Sequence, residues 1–201
     1  VVTDNRTSGA ASDGGGIFQF GGSLTITDST ISANRTSGNN SFGGGISTNT
    51  ANVIITGSTI DGNSTASGGA STGLGAGLVV ISGDLTLTDS TVSNNTNTGA
   101  GSIGGGVVVS AGNLTINDST ISGNATQGRG GGILFGSSTD TATVTNTTIS
   151  GNTASSGDGG GISVFQGTFN LNHSTVTGNT APAGMGSGLA SNSDGTAISN
   201  T

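Results

Sequence analysis

The chain has 201 residues and a net charge of −7, with three Lys+Arg against ten Asp+Glu, 41 Gly and no Cys, Trp or Tyr. The length admits one compact domain or one continuous repeat array, and the absence of cysteine excludes disulfides, thiolate metal sites and thiol nucleophiles. Arg6, Arg35 and Arg129 are too few to grip a phosphate backbone, so no nucleic-acid partner is expected. The longest apolar run, Leu78-Val79-Val80-Ile81, is strand-sized against the roughly 20 residues of a membrane helix, so no membrane insertion is expected either.

Along the chain one unit recurs. It begins with a glycine cluster closed by an aliphatic residue, at Ile17, Ile46, Leu78, Val107, Ile133, Ile162 and Leu189. A short alternating strand follows, with inward pairs Leu24/Ile26, Val53/Ile55, Leu85/Leu87, Leu114/Ile116, Ala142/Val144 and Phe169/Leu171 and mostly Thr between them. The unit closes on a Ser-Thr-Ile-like strand centred on Ile31, Ile60, Val92, Ile121, Ile149 and Val176, with Asn three residues later. Successive units are about 26–32 residues apart and remain in phase, the signature of a repeat architecture.

Gly-rich, β-branched segments of this length do not support helices. A unit of three short strands cannot bury one face alone, but stacking each strand on its equivalent closes an apolar shaft. The predicted fold is all-β: a right-handed parallel β-helix with three short strands per coil and about seven coils. A propeller or a sandwich is the alternative. Residues 1–201 read as a single uncapped segment. Val1-Val2-Thr3-Asp4-Asn5 matches Thr30-Ile31-Ser32-Ala33-Asn34, and a join from Thr201 to Val1 has the spacing of an internal repeat. A longer tandem chain or head-to-tail stacking is therefore expected.

Stacking turns sequence positions into columns. Asn5, Asn34, Asn63, Asn95, Asn124, Asn152 and Asn179 are expected to form a structural amide ladder. Thr30, Thr59, Thr91, Thr120, Thr148 and Thr175 are expected to stiffen the corner before the last strand. Phe18, Val79, Val108 and Leu134 would point outward as a lateral contact surface, or be covered by a loop. Among the Asn-X-Ser/Thr sequons, Asn39, Asn94, Asn113 and Asn117 fall on loops or outward faces and are the candidate acceptors for covalent glycans.

No catalytic centre is expected. Asp28, Asp89 and Asp118 share a column continued by Gly57, Asn146 and His173, which reads as a turn position rather than a carboxylate pair facing a cleft. The three arginines fall in loop-like positions, and the sole histidine, His173, makes neither a zinc site nor a triad. The glycine clusters recur in every coil without a following Lys or helix, unlike a phosphate loop. No cofactor or metal is expected.

The units Gly43-Gly44-Gly45-Ile46, Gly130-Gly131-Gly132-Ile133, Ile31-Ser32-Ala33-Asn34 and Ile121-Ser122-Gly123-Asn124 resemble right-handed β-helix repeats of bacterial surface proteins, including polymorphic outer-membrane autotransporters. Those repeats carry Gly-Gly-Ala-Ile and Phe-x-x-Asn, with Ile standing here for Phe. The resemblance covers nearly the whole chain and implies a secreted passenger stalk or adhesin. The expected function is an extracellular or cell-surface structural fibre, self-associating, adhesive and glycan-bearing. Two alternatives are an ice-binding solenoid using Thr25/Thr27, Thr86/Thr88 and Thr143/Thr145, and a polysaccharide-binding or -degrading protein.

Overall fold

The computed structural model describes residues 1–66, 73–193 and 195–199. Among these every regular element is a β-strand, and every strand pairing is parallel, each strand meeting its equivalent in the next coil. Four sheets run along the axis. Sheet 1 has seven strands, from Val2–Thr3 to Thr175–Thr177; sheet 2 has six, from Arg6–Ser8 to Thr153–Ala154. Sheet 3 has seven, from Ile17–Phe20 to Leu189–Ser191, and sheet 4 has seven, from Ser23–Thr27 to Gly195–Ser199.

Sheets 1, 3 and 4 are the three strands expected of each coil. Sheet 2 is an addition, and it places Arg6 and Arg35 in strands, in direct register, rather than in loops. Its strands are only two or three residues long, and their inward column is Thr36, Thr65, Asn97, Thr126 and Ala154. With no aliphatic residue alternating there, the segment carries no hydrophobic period by which a strand is recognised.

The shaft is apolar. Sheet 1 contributes Ile31, Ile60, Val92, Ile121 and Ile149, sheet 4 the pairs from Val53/Ile55 to Phe169/Leu171, and sheet 3 the column from Ile46 to Ile162 with Val80, Val109, Phe135 and Val164. Each fully buried side chain of this size contributes roughly 1.5–3 kcal/mol. Partners are one coil apart, about 4.8 Å along the axis, so every inward residue packs on its own counterpart.

The amide column runs parallel to the axis, at the corner between sheets 1 and 2. Asn34, Asn63, Asn95, Asn124 and Asn152 are 0% exposed. The backbone N–H and Nδ2 of Asn95 both donate to Asn124 Oδ1, at 3.0 and 2.9 Å, and Asn95 Nδ2 also donates to Ile60 O at 3.0 Å. Asn34, Asn63, Asn124 and Asn152 repeat the same three bonds to the next Asn and to the preceding coil's aliphatic carbonyl. Asn5 makes the first two bonds but is exposed and turns its amide to Thr3 O. Each buried amide is thereby satisfied, which is the condition for placing it in an apolar shaft.

Glycine is required opposite this ladder. A Cβ on Gly132 would lie 3.0 Å from the Asn152 amide and 2.6 Å from Gly161 O; Gly45, Gly106 and Gly161 are equally tight against Asn63, Asn124 and Asn179.

Replacing Asn124 with Ala strands the buried backbone and side-chain N–H groups of Asn95, at about 1–3 kcal/mol each. Urea unfolding followed by circular dichroism should show Asn124→Ala destabilised by about 3–5 kcal/mol. The exposed Asn5→Ala should lose less than about 1 kcal/mol.

Candidate functional surfaces

Corners position everything that faces solvent. The column Asp28, Gly57, Asp89, Asp118, Asn146 and His173 has φ between 46° and 60°, in the left-handed region. Asp, Asn and Gly tolerate this conformation best, which accounts for the column's composition. Asn146 Nδ2 donates to Asp118 Oδ1, and His173 N–H donates to Ser199 O at 2.9 Å.

The corner itself is tied by the next residue, a column unremarked in sequence. Ser58 N–H donates to Ser90 Oγ at 3.0 Å, and Ser90 Oγ donates back to Thr88 O at 2.7 Å. Ser29, Ser119, Thr147 and Ser174 take equivalent places in the ladder. The Thr30-to-Thr175 column lies one residue later, opening the strands of sheet 1 and facing outward. It is the hydroxyl before it that fixes the corner. Ser-Thr spacing alone could have suggested either.

The sequons fall in different settings. Asn39 is exposed between sheets 2 and 3. Asn94 is exposed at φ 54°, its Nδ2 donating to Asp61 Oδ1 at 2.8 Å. Asn113 donates to Asp84 Oδ1 and accepts from the Thr141 N–H, so it already ties three coils together. Asn117 is half-buried in the outward row of sheet 4 with Thr88 and Thr145.

The expected lateral surface is largely covered. Val79 and Val108 are 0% exposed and Leu134 only 4%; of the four residues only Phe18 stands free. All point away from the shaft, but Leu74 and Ile103 fold over Val79, Val108 and Leu134 to build a second, smaller core. Single-residue bridges join Phe42 to Leu74 and Leu74 to Ile103, so the loops before sheet 3 stack as the strands do. Strand alternation correctly gave the direction of these side chains but carried no information about the loop above them.

The cover stops at Ile103. In the next coil its place in the column is taken by Arg129, whose carbonyl accepts from the Gly104 N–H as that of Ile103 accepts from the Gly75 N–H. Beyond it opens a groove of about 520 Å³ lined by Ile103, Val109, Ser110, Arg129, Leu134 and Phe165 with Gly101 and Gly136. The Arg129 guanidinium carbon sits 5.1 Å from the Phe165 ring centroid, within cation–π range.

Two carboxylates are shifted. Burial pushes Asp13 above its ordinary value, opposed by the hydrogen bond from the Phe42 N–H. Asp140 is held below its ordinary value by the Ser137 hydroxyl and the Gly112 N–H, both of which donate to it. It closes the turn between sheets 3 and 4 in its coil. Among the described residues no three His, Cys, Asp or Glu side chains converge as metal ligands, and no helix is long and apolar enough to cross a membrane.

A depressed carboxylate stabilises the fold at pH above its unfolded value, and that contribution is lost as pH falls through the folded value. Asp140→Asn should therefore lower stability at neutral pH. The gap to wild type in melting temperature should close once both forms are measured below the ordinary carboxylate range.

A family model described as right handed beta helix region matches residues 1–149 and again residues 75–201, so the two matches together span the chain. No curated protein and no solved structure matches it.

Proposed function

The chain belongs to the right-handed β-helix family, and we propose that within it this protein is an extracellular structural spacer, a stiff surface stalk or fibre segment. The observation that carries this reading is the uninterrupted Asn ladder from Asn5 to Asn179, which ties each coil to the next through bonds that are buried from Asn34 onward. Bending the rod would stretch those bonds and the parallel strand pairs on one side, so the architecture favours carrying load and holding distance.

Further support comes from the surface. The chain has no Lys, and its three Arg are two strand residues and one packed on Phe165, so a trypsin-like protease finds few extended sites. The resemblance of the Gly-Gly-Gly-Ile and Ile-Ser-x-Asn units to bacterial surface repeats favours an external location. Adhesion and glycan attachment belong to the same reading, with exposed Asn39 as the sequon best placed for a sugar. Axial association also fits: the sheet edges at Val2–Thr3 and Thr175–Thr177 have the register in which a further coil adds, whether from the same chain or another copy. The suggested contact between residues 201 and 1 involves Asn200 and Thr201, which lie outside the described residues.

Antibody labelling of intact, unpermeabilised source cells, combined with electron microscopy of native material, tests the proposal. The expected result is surface label on thin rods with an axial repeat of about 4.8 Å. Label appearing only after permeabilisation would overturn it.

A second reading has one observation in its favour. The sheet 1 outward column Thr30, Thr59, Thr91, Thr120, Thr148 and Thr175 is an unbroken threonine row, whereas sheet 4, on which the Thr-x-Thr expectation rests, is interrupted by Ile54 and Asn170. A regular row of hydroxyl and methyl groups is suited to ordering water. If that is its role, purified protein will show thermal hysteresis that Thr120→Lys abolishes; freezing at the equilibrium point removes this reading.

A further inference from the structure

We propose that the groove beside Arg129 and Phe165 is a binding site for a small amphipathic anion, one with an apolar body and a single carboxylate. The site comes from a local shortening of the repeat. The aliphatic residues that close the glycine clusters, Val107 and Ile133, are the closest such pair in the chain, and the loop between them brings Arg129 where Ile103 stands one coil earlier. The aliphatic cover over Val79 and Val108 therefore ends at Ile103, and Leu134, at the edge of that second core, lines the floor of the groove.

The lining selects the ligand. Ile103 and Leu134 present hydrocarbon, Phe165, 45% exposed, forms one wall, and Ser110 is the only lining side chain besides Arg129 with a polar group. A sugar would leave most of its hydroxyls without partners on such walls, at a cost that stacking on one ring does not offset. A volume of about 520 Å³ accommodates a body of roughly ten carbons.

Charge then decides between apolar ligands. Arg129 lies over Phe165, and among the described residues no carboxylate comes within salt-bridge distance of it. Its guanidinium lies against the ring, half-buried, and its N–H groups donate to no protein acceptor among the described residues. A cationic ligand would be repelled, and a neutral one would leave those donors unused. A carboxylate at the end of an apolar body satisfies both parts of the site and gains a charge-assisted, bidentate contact.

The probe is 1-anilinonaphthalene-8-sulfonate, an aromatic body with one anionic group, with decanoate and decanol as competitors. Wild-type protein should show one saturable fluorescence-reporting site per chain, from which decanoate displaces the probe at least about tenfold better than decanol. Arg129→Gln, with an unchanged circular dichroism spectrum and melting temperature, should remove that preference by weakening decanoate and leaving decanol as it was. Phe165→Ser should weaken both. Arg35→Gln, which removes a cation distant along the chain, should change neither. The proposal is overturned if the probe does not saturate or if decanoate and decanol compete equally. It is also overturned if Arg35→Gln reduces decanoate binding as much as Arg129→Gln, since attraction would then reside in overall charge.

Discussion

A single carboxamide geometry constrains this molecule. From Asn34 to Asn179 each ladder oxygen accepts a backbone and a side-chain N–H from the Asn one coil earlier, and each ladder nitrogen also reaches the carbonyl of an aliphatic residue in the preceding coil. These bonds close only if consecutive coils are in strict register at this point. The aliphatic residue and its Asn are accordingly three positions apart in every coil from Ile31–Asn34 to Val176–Asn179. The glycine column facing the ladder follows from the same constraint, because a methyl group there would crowd the amide and a neighbouring backbone carbonyl. Hydrophobic burial drives the collapse, but leucine and isoleucine would tolerate a slipped coil; the amides would not.

Register fixed at the ladder leaves the loops that join it to the next glycine cluster free to vary in length. The segment between the amide column and the next glycine cluster is long in some coils, where Leu74 and Ile103 build a second core, and short between Asn124 and Gly130, where Arg129 replaces the aliphatic cover and that core opens into a groove. The coil that runs from Gly132 to Asn152 is also longer between sheets 3 and 4, and its extra turn is tied by Asp140 with Ser137 and Gly112. Rigid repeats and variable loops are thus two consequences of one ladder, and a stalk of this kind can gain local binding features without loss of its axial order.

Most of the scaffold could be read from the chain. Period-two alternation in Leu114-Thr-Ile116-Asn or Leu85-Thr-Leu87-Thr, repeated in phase with Gly and Asn, leaves few ways to bury one face. All seven ladder asparagines are identifiable on spacing alone. Sheet 2 was not, because Arg35-Thr36-Ser37 and Thr96-Asn97 have no apolar period, and their strands exist only because neighbouring coils hold them in place. The serine ladder was similarly hidden beside a more conspicuous threonine column. What makes Ser90 the corner residue is its position between a left-handed Asp89 and the carbonyl of Thr88, a relation of backbone angles rather than residue type.

The sequence by itself determined that the chain must coil, which side chains turn inward and which positions stack, because these follow from local alternation and a repeated length. The tertiary structure decided what lies above the outward side chains. Val79, Val108 and Leu134 share one sequence pattern with exposed Phe18, yet they are buried by loops whose path depends on contacts between residues about 30 positions apart. Exposure is a property of the neighbour as much as of the residue, and neighbours of that kind come together only when the chain has folded.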